Sequence, residues 1–278
     1  MQNMILVLKG FLIGIANIIP GVSGGTLMIT LGIYERIINA ISHFFHDFKE
    51  NIKFLVPLGI GMVLSILLMS QLIGMCLEKF PFPTTLFFVG LILGGIPLLW
   101  RKVKDSPKKV SYGIIFVITF LFVAMFAFLK SGDYVVSFED MNIMSYVLLF
   151  GVGMIASATM IIPGISGSFM LMLLGYYKPI IDTLRGLTEF SLLGHNLAIL
   201  IPFGIGVLVG IVLVAKLIEF LLKKFEIPTY YGVLGFVLAS MIAIILPLIG
   251  TTITIWQVLC AILLFAFGFG VAYKLGGE

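Results

Sequence analysis

The chain has 278 residues, 60% of them hydrophobic and only 11% charged, with a mean hydropathy of +1.20. An ordinary globular domain carries about 25% charged residues, so the composition excludes a soluble enzyme or binding module and points to a polytopic membrane protein. The formal net charge of +4 gives no reason to expect nucleic acid as a partner, and the information lies in where the basic residues sit.

Crossing a hydrocarbon core of about 30 Å takes roughly 20 apolar residues as a helix, and an open sheet would leave backbone groups unsatisfied in lipid. The fold class expected is therefore all-α and multi-pass. The first apolar run, 5–19, lacks a small-residue cleavage site and reads as a membrane element rather than a signal peptide. The break Pro20-Gly21-Val22-Ser23-Gly24-Gly25 separates it from a second run, 24–41. His43 and His46, interleaved with Phe44, Phe45 and Phe48, predict a short interfacial stretch rather than a metal site. Runs at 54–77 and 82–100 lead to a loop carrying Arg101, Lys102, Lys104, Lys108 and Lys109 against a single Asp105. That excess of Lys and Arg assigns the loop to the cytoplasm.

Crossing over 112–129 then places Asp133, Glu139 and Asp140 outside. The second half follows as runs 143–162, 165–181, 197–222, 228–249 and 252–273, with the break Pro163-Gly164-Ile165-Ser166-Gly167-Ser168 between its first two. The assignment puts Lys49, Lys53, Lys223, Lys224 and Lys274 inside, puts Lys79, Lys130, Lys178 and Arg185 outside, and predicts that both termini are cytoplasmic. Lys216 and Glu219, three apart, are expected to pair. Cys76 and Cys260 lie in apolar runs without metal or redox spacing and read as buried free thiols. No metal and no cofactor is expected.

An offset of 143 residues aligns Ile18-Ile19-Pro20-Gly21-Val22-Ser23-Gly24 with Ile161-Ile162-Pro163-Gly164-Ile165-Ser166-Gly167, and Leu31-Gly32 with Leu174-Gly175. At 145, Pro57 meets Pro202, and Lys79-Phe80 with Pro83-Thr84 meets Lys224-Phe225 with Pro228-Thr229. Fixed-offset similarity of this kind marks an internal repeat, here 1–141 and 142–278 within one transmembrane domain. Each half holds five apolar segments, or three if the first two form a re-entrant hairpin. Either odd count inverts the second copy, the arrangement of secondary transporters with a site at the repeat interface. A single broken span at each motif would instead make the copies parallel.

Proline ends a helix, glycine permits positive φ and serine favours an N-cap. Each motif thus ends one helix and starts another at Ser23-Gly24-Gly25-Thr26 or Ser166-Gly167-Ser168, where free N–H groups and hydroxyls can hold an anion, phosphate above all. Pro20, Gly21, Pro163 and Gly164 are expected to shape the hairpins. The bland alternative is a pair of packing kinks. Two polar breaks at matching positions favour a functional reading, because irregular backbone at membrane depth must be buried in protein or line a wet cavity. Glu35 and Arg36 are candidates for guiding a phosphate or coupling a proton, or are simply snorkelling. Lys178, which aligns with Glu35, and Arg185 are candidates for attracting an anionic headgroup or are solvated interfacial charges. Asn17 either bonds across the first hairpin or packs helices.

The paired Ile-Pro-Gly-Val-Ser-Gly-Gly-Thr and Ile-Pro-Gly-Ile-Ser-Gly-Ser motifs, with Leu-Gly-Ile-Tyr-Glu at 31–35, resemble the polyprenyl-phosphate transporter family over essentially the whole chain. The resemblance implies a bacterial cytoplasmic-membrane flippase that returns undecaprenyl phosphate to the cytoplasmic leaflet for cell-wall synthesis, by alternating access, with membrane lipids around it and no catalysis. A homo-oligomer is compatible with it. A small-anion or ion transporter is the alternative. A lipid-phosphate phosphatase is disfavoured, because neither serine motif has a histidine or aspartate close by.

Overall fold

The computed structural model describes residues 2–18, 23–128, 136–138, 141–185 and 193–276, and they contain helices and no strand. The first half comprises α1 (Gln2–Ile18), α2 (Gly24–Thr30), α3 (Tyr34–Ser42), α4 (Phe48–Lys79), α5 (Pro81–Val103) and α6 (Val110–Phe128). The second comprises α7 (Ile143–Ile161), α8 (Gly167–Leu173), α9 (Tyr177–Arg185), α10 (Leu193–Lys224), α11 (Glu226–Ile245) and α12 (Ile255–Gly276). The halves correspond element by element: α2 and α8 have 7 residues each, α3 and α9 have 9, and α4 and α10 have 32. Among the described residues six helices, α4, α5, α7, α10, α11 and α12, are long and apolar enough to cross a membrane.

The runs 24–41 and 165–181, expected as unbroken segments, are each two short helices. Gly32 (φ 70) ends α2, with its N–H on the Ile29 carbonyl at 2.9 Å and the Ile33 N–H on Met28 at 3.0 Å. Gly175 (φ 78) ends α8 in the same way, through Met172 at 3.1 Å and Leu171 at 2.9 Å. Both are Schellman stops, which need glycine at the left-handed position. At 1.5 Å per residue, α2 and α8 are about 10 Å long, a third of a hydrocarbon core. Hydropathy is blind to this stop, since apolar residues flank it on both sides.

Helix α1 packs on α4 and α7 on α10, while α5 packs on α12 and α11 on α6. Glycines allow the close approach: a Cβ on Gly10 would strike the Leu58 carbonyl, and one on Gly61 the Val7 carbonyl. In the second half Gly206 lies against Phe150 and Gly153 against Phe203. Successive contacts rise together along both helices, Gly10 on Leu58 and then Gly14 on Met62, so α1 and α4 run parallel. The chain therefore returns through α2 and α3 to the end at which α1 began. Small residues even exchange places: Gly14 faces Ser65 in the first half, and Ser157 faces Gly210 in the second.

Over half of the spanning stretch of α5 and of α11 is buried, whereas α4, α10 and α12 turn side chains such as Leu67, Leu208 and Leu263 outward. An apolar outer belt with a buried centre is what lipid as solvent requires. It also corrects the reading of the thiols: Cys76 is half-buried and Cys260 is exposed, because an apolar helix can face lipid rather than protein. Gly206→Leu, which drives a large side chain into α7, is expected to cost about 3 kcal/mol, the upper end for overpacking. A lower melting temperature in detergent would register it.

Candidate functional site

Ser23 (φ −93, ψ 124) and Ser166 (φ −91, ψ 131) hold the N-cap positions of α2 and α8 in nearly identical extended conformations. Neither side chain caps its own helix. Pro20 and Gly21 lie outside the described residues. The two motifs meet directly. The Gly164 N–H donates to Thr26 Oγ1 at 2.9 Å, Ser23 Oγ donates to the Ile162 carbonyl at 3.5 Å, and the Tyr34 hydroxyl donates to the Ile161 carbonyl at 3.2 Å. Gly25 is buried against the same strand of backbone, where an added Cβ would lie 2.8 Å from the Ile161 oxygen. Pro163 and Gly164 form the buried turn before α8, and Gly164 has φ 89.

Beside this contact lies a cavity of about 70 Å³ lined by Asn17 and Gly24 from the first motif region and by Ser166, Gly167 and Ser168 from the second, with Met160 and Ile165. Asn17 reaches across the hairpin, its amide oxygen lying where a Cβ on Gly24 would go. Ser166 Oγ and Ser168 Oγ are 2.8 Å apart. One of their two protons serves that bond, and the other remains for a third group. Among the described residues, hydroxyls, a carboxamide and helix-start backbone line the space, and no carboxylate does. Such a lining suits a small anionic group.

A second cavity, of about 310 Å³, opens at the other end of α2 between α3, α5, α10 and α11. Its polar groups are Tyr34, Glu35, Arg36, Lys102 and Tyr230. Lys102 Nζ lies 3.0 Å from Glu35 Oε1, and the Tyr230 hydroxyl donates to that same oxygen. Arg36 is pinned by Asn39 (3.3 Å) and Asn51 (3.2 Å), with its guanidinium 5.1 Å from the centre of the Phe54 ring. Close by, Glu219 reaches Lys223 and His43 rather than Lys216, correcting the expected pair. The i,i+4 geometry brings Lys223 over Glu219 at the end of α10, and the turn after α3 adds His43.

The structure thus gathers Asn17, Gly24, Ser166, Gly167 and Ser168 at one cavity and Glu35 with Arg36 at another. Ser23, Gly25 and Thr26 are engaged in the contact between the motifs. Lys178 is exposed near the start of α9, away from both cavities. Arg185 ends α9, and its side chain is outside what is described. Sequence reasoning missed Lys102, Tyr230 and Tyr34 as site residues. Lys102 was visible only as one of several loop cations, and Tyr230 follows the repeated Pro228-Thr229 with nothing to distinguish it.

The profile of a family described as undecaprenyl phosphate translocase-like matches residues 13–260. The chain is 34% identical over 277 residues to a polyprenyl-phosphate transporter of Staphylococcus aureus, covering 97% of this chain and 95% of that protein. It is 28% identical over 248 residues to a polyprenyl-phosphate transporter of Vibrio cholerae, covering 84% and 75%. No solved structure matches the chain.

Proposed function

Because the chain belongs to the undecaprenyl phosphate translocase-like family, we propose that it carries a polyprenyl phosphate across the bacterial cytoplasmic membrane. The substrate in this reading is undecaprenyl phosphate, returned to the cytoplasmic leaflet for reuse in cell-wall polymer synthesis. The observation that carries the reading is the cavity shared by the two Pro-Gly-x-Ser-Gly segments, with Ser166 and Ser168 facing Asn17 and Gly24. A phosphate entering lipid without compensation faces a large desolvation cost. Convergent hydroxyl and backbone donors offset it, because hydrogen bonds to a charged acceptor are about twice as strong as neutral ones. The isoprenoid tail needs no such path and stays among apolar side chains and lipid.

In this reading 1–141 and 142–278 are inverted repeats, and α1–α2 and α7–α8 are re-entrant hairpins entering from opposite faces. The parallel course of α1 and α4 supports re-entry, and the meeting of Ser23 and Thr26 with Ile162 and Gly164 supports inversion. Both termini are then cytoplasmic, and alternating access comes from rocking one repeat against the other around the shared cavity. The protein acts without catalysis: the phosphate ester is moved, not broken.

The test is a leaflet-resolved translocation assay with purified protein in vesicles and labelled undecaprenyl phosphate. Transbilayer movement should exceed that of protein-free vesicles, and thin-layer chromatography should recover the lipid unchanged. Movement no faster than the blank under any imposed gradient, alongside flux of a small ion, would transfer the assignment to ion transport.

A further inference from the structure

We infer that the 310 Å³ cavity is a second phosphate-monoester site, in which the Glu35 carboxylate occupies the phosphate position until a ligand displaces it from Lys102 and Tyr230. The inference rests on the transport reading above and adds to it a landing site at the far end of α2. Glu35 Oε1 takes both Lys102 Nζ, at 3.0 Å, and the Tyr230 hydroxyl. One carboxylate oxygen thus collects a cation and a neutral donor, the pair that a phosphate oxygen would use. Lys102 also lies 5.2 Å from the centre of the Tyr230 ring, so the two donors are held together without Glu35.

Displacement is easy on energetic grounds. The Glu35 and Lys102 side chains are 55% and 40% exposed, and ion pairs this wet contribute little net stability. A phosphate monoester carries about −1.5 to −2 charges and three acceptor oxygens, against one charge and two oxygens for the carboxylate. It is the stronger ligand for Lys102. Arg36, pinned by Asn39 and Asn51, lines the same cavity as a preset second cation. The remaining wall is apolar, with Ile29, Leu98, Leu222 and Val233, and fits the first carbons of a lipid chain better than bulk phosphate.

The carboxylate belongs to one half only. Under the repeat offsets Glu35 corresponds to Lys178, Lys102 to Pro247 and Tyr230 to Thr85. A phosphate in this cavity therefore always has a competing anion beside it, and the counterpart end has none at that position. Tyr34 links the two sites, since it lines this cavity and donates to Ile161, the last residue of α7 before the second motif.

The test is calorimetric titration of the full-length protein in detergent with farnesyl phosphate and, separately, inorganic phosphate. Wild type, Glu35→Gln, Lys102→Gln, Lys102→Arg and the pair Ser166→Ala with Ser168→Ala are compared. Glu35→Gln should tighten farnesyl phosphate binding by about fivefold to tenfold and Lys102→Gln should weaken it about tenfold, the scale of one charge-assisted hydrogen bond. Lys102→Arg should retain binding, and both shifts should shrink as salt rises. Equal effects on inorganic phosphate would name free phosphate as the ligand of the cavity, and effects confined to farnesyl phosphate would name the lipid. Glu35→Gln that weakens binding or leaves it unchanged, in a protein melting like wild type, overturns the displacement idea. If affinity falls only in the serine pair, the transport site stands and this one is lost. If no variant and no wild type binds either probe, both readings fall.

Discussion

Ser166→Ala combined with Ser168→Ala is expected to weaken binding of a polyprenyl-phosphate headgroup by about tenfold to a hundredfold and to slow translocation in proportion. The two hydroxyls are 2.8 Å apart at the cavity between the motifs, and their mutual bond consumes only one proton. The free proton is available to a phosphate oxygen, and a hydrogen bond to a charged group is worth about 1.5–3 kcal/mol, or one to two decades in affinity. The backbone of α8 is untouched, so melting should barely move. Ser23→Ala should have a smaller effect, because the Ser23 hydroxyl already donates to the Ile162 carbonyl. Thermal-shift titration with undecaprenyl phosphate measures both. Full affinity in the Ser166–Ser168 double variant would leave the motifs as packing elements alone.

Gly164→Ala should destabilise the protein by about 2–5 kcal/mol. Two costs combine. At φ 89 an L side chain loses about 1–2 kcal/mol to steric strain. The new Cβ would also lie 2.6 Å from the Phe236 carbonyl oxygen, and overpacking adds about 1–3 kcal/mol. Pushing Gly164 away would further strain its N–H bond to Thr26 Oγ1, one of three hydrogen bonds that join the two motif regions among the described residues. Thr26→Val isolates that last part. It keeps the volume but leaves the buried Gly164 N–H unsatisfied, for about 1–3 kcal/mol. Melting in detergent should rank wild type above Thr26→Val and Thr26→Val above Gly164→Ala. A Gly164→Ala protein that melts like wild type would show that the turn relaxes without cost.

The sequence by itself determined that the chain is an all-helical membrane protein. An 11% charged content leaves no other solvent than lipid for so much apolar surface. The repeat and its two polar breaks were also legible, because proline, glycine and serine act through local backbone chemistry that a one-dimensional reading captures. The stops at Gly32 and Gly175 were not, since a Schellman turn between apolar residues leaves no mark on hydropathy. Only the tertiary structure decided which polar groups share a cavity. Tyr230 and Lys102 meet Glu35 from 195 and 67 residues away, and the Gly164 N–H meets Thr26 across 138. No periodicity spans such separations. They are set by which helix faces pack, and at α1–α4 and α7–α10 that is settled by where glycine lets two backbones approach.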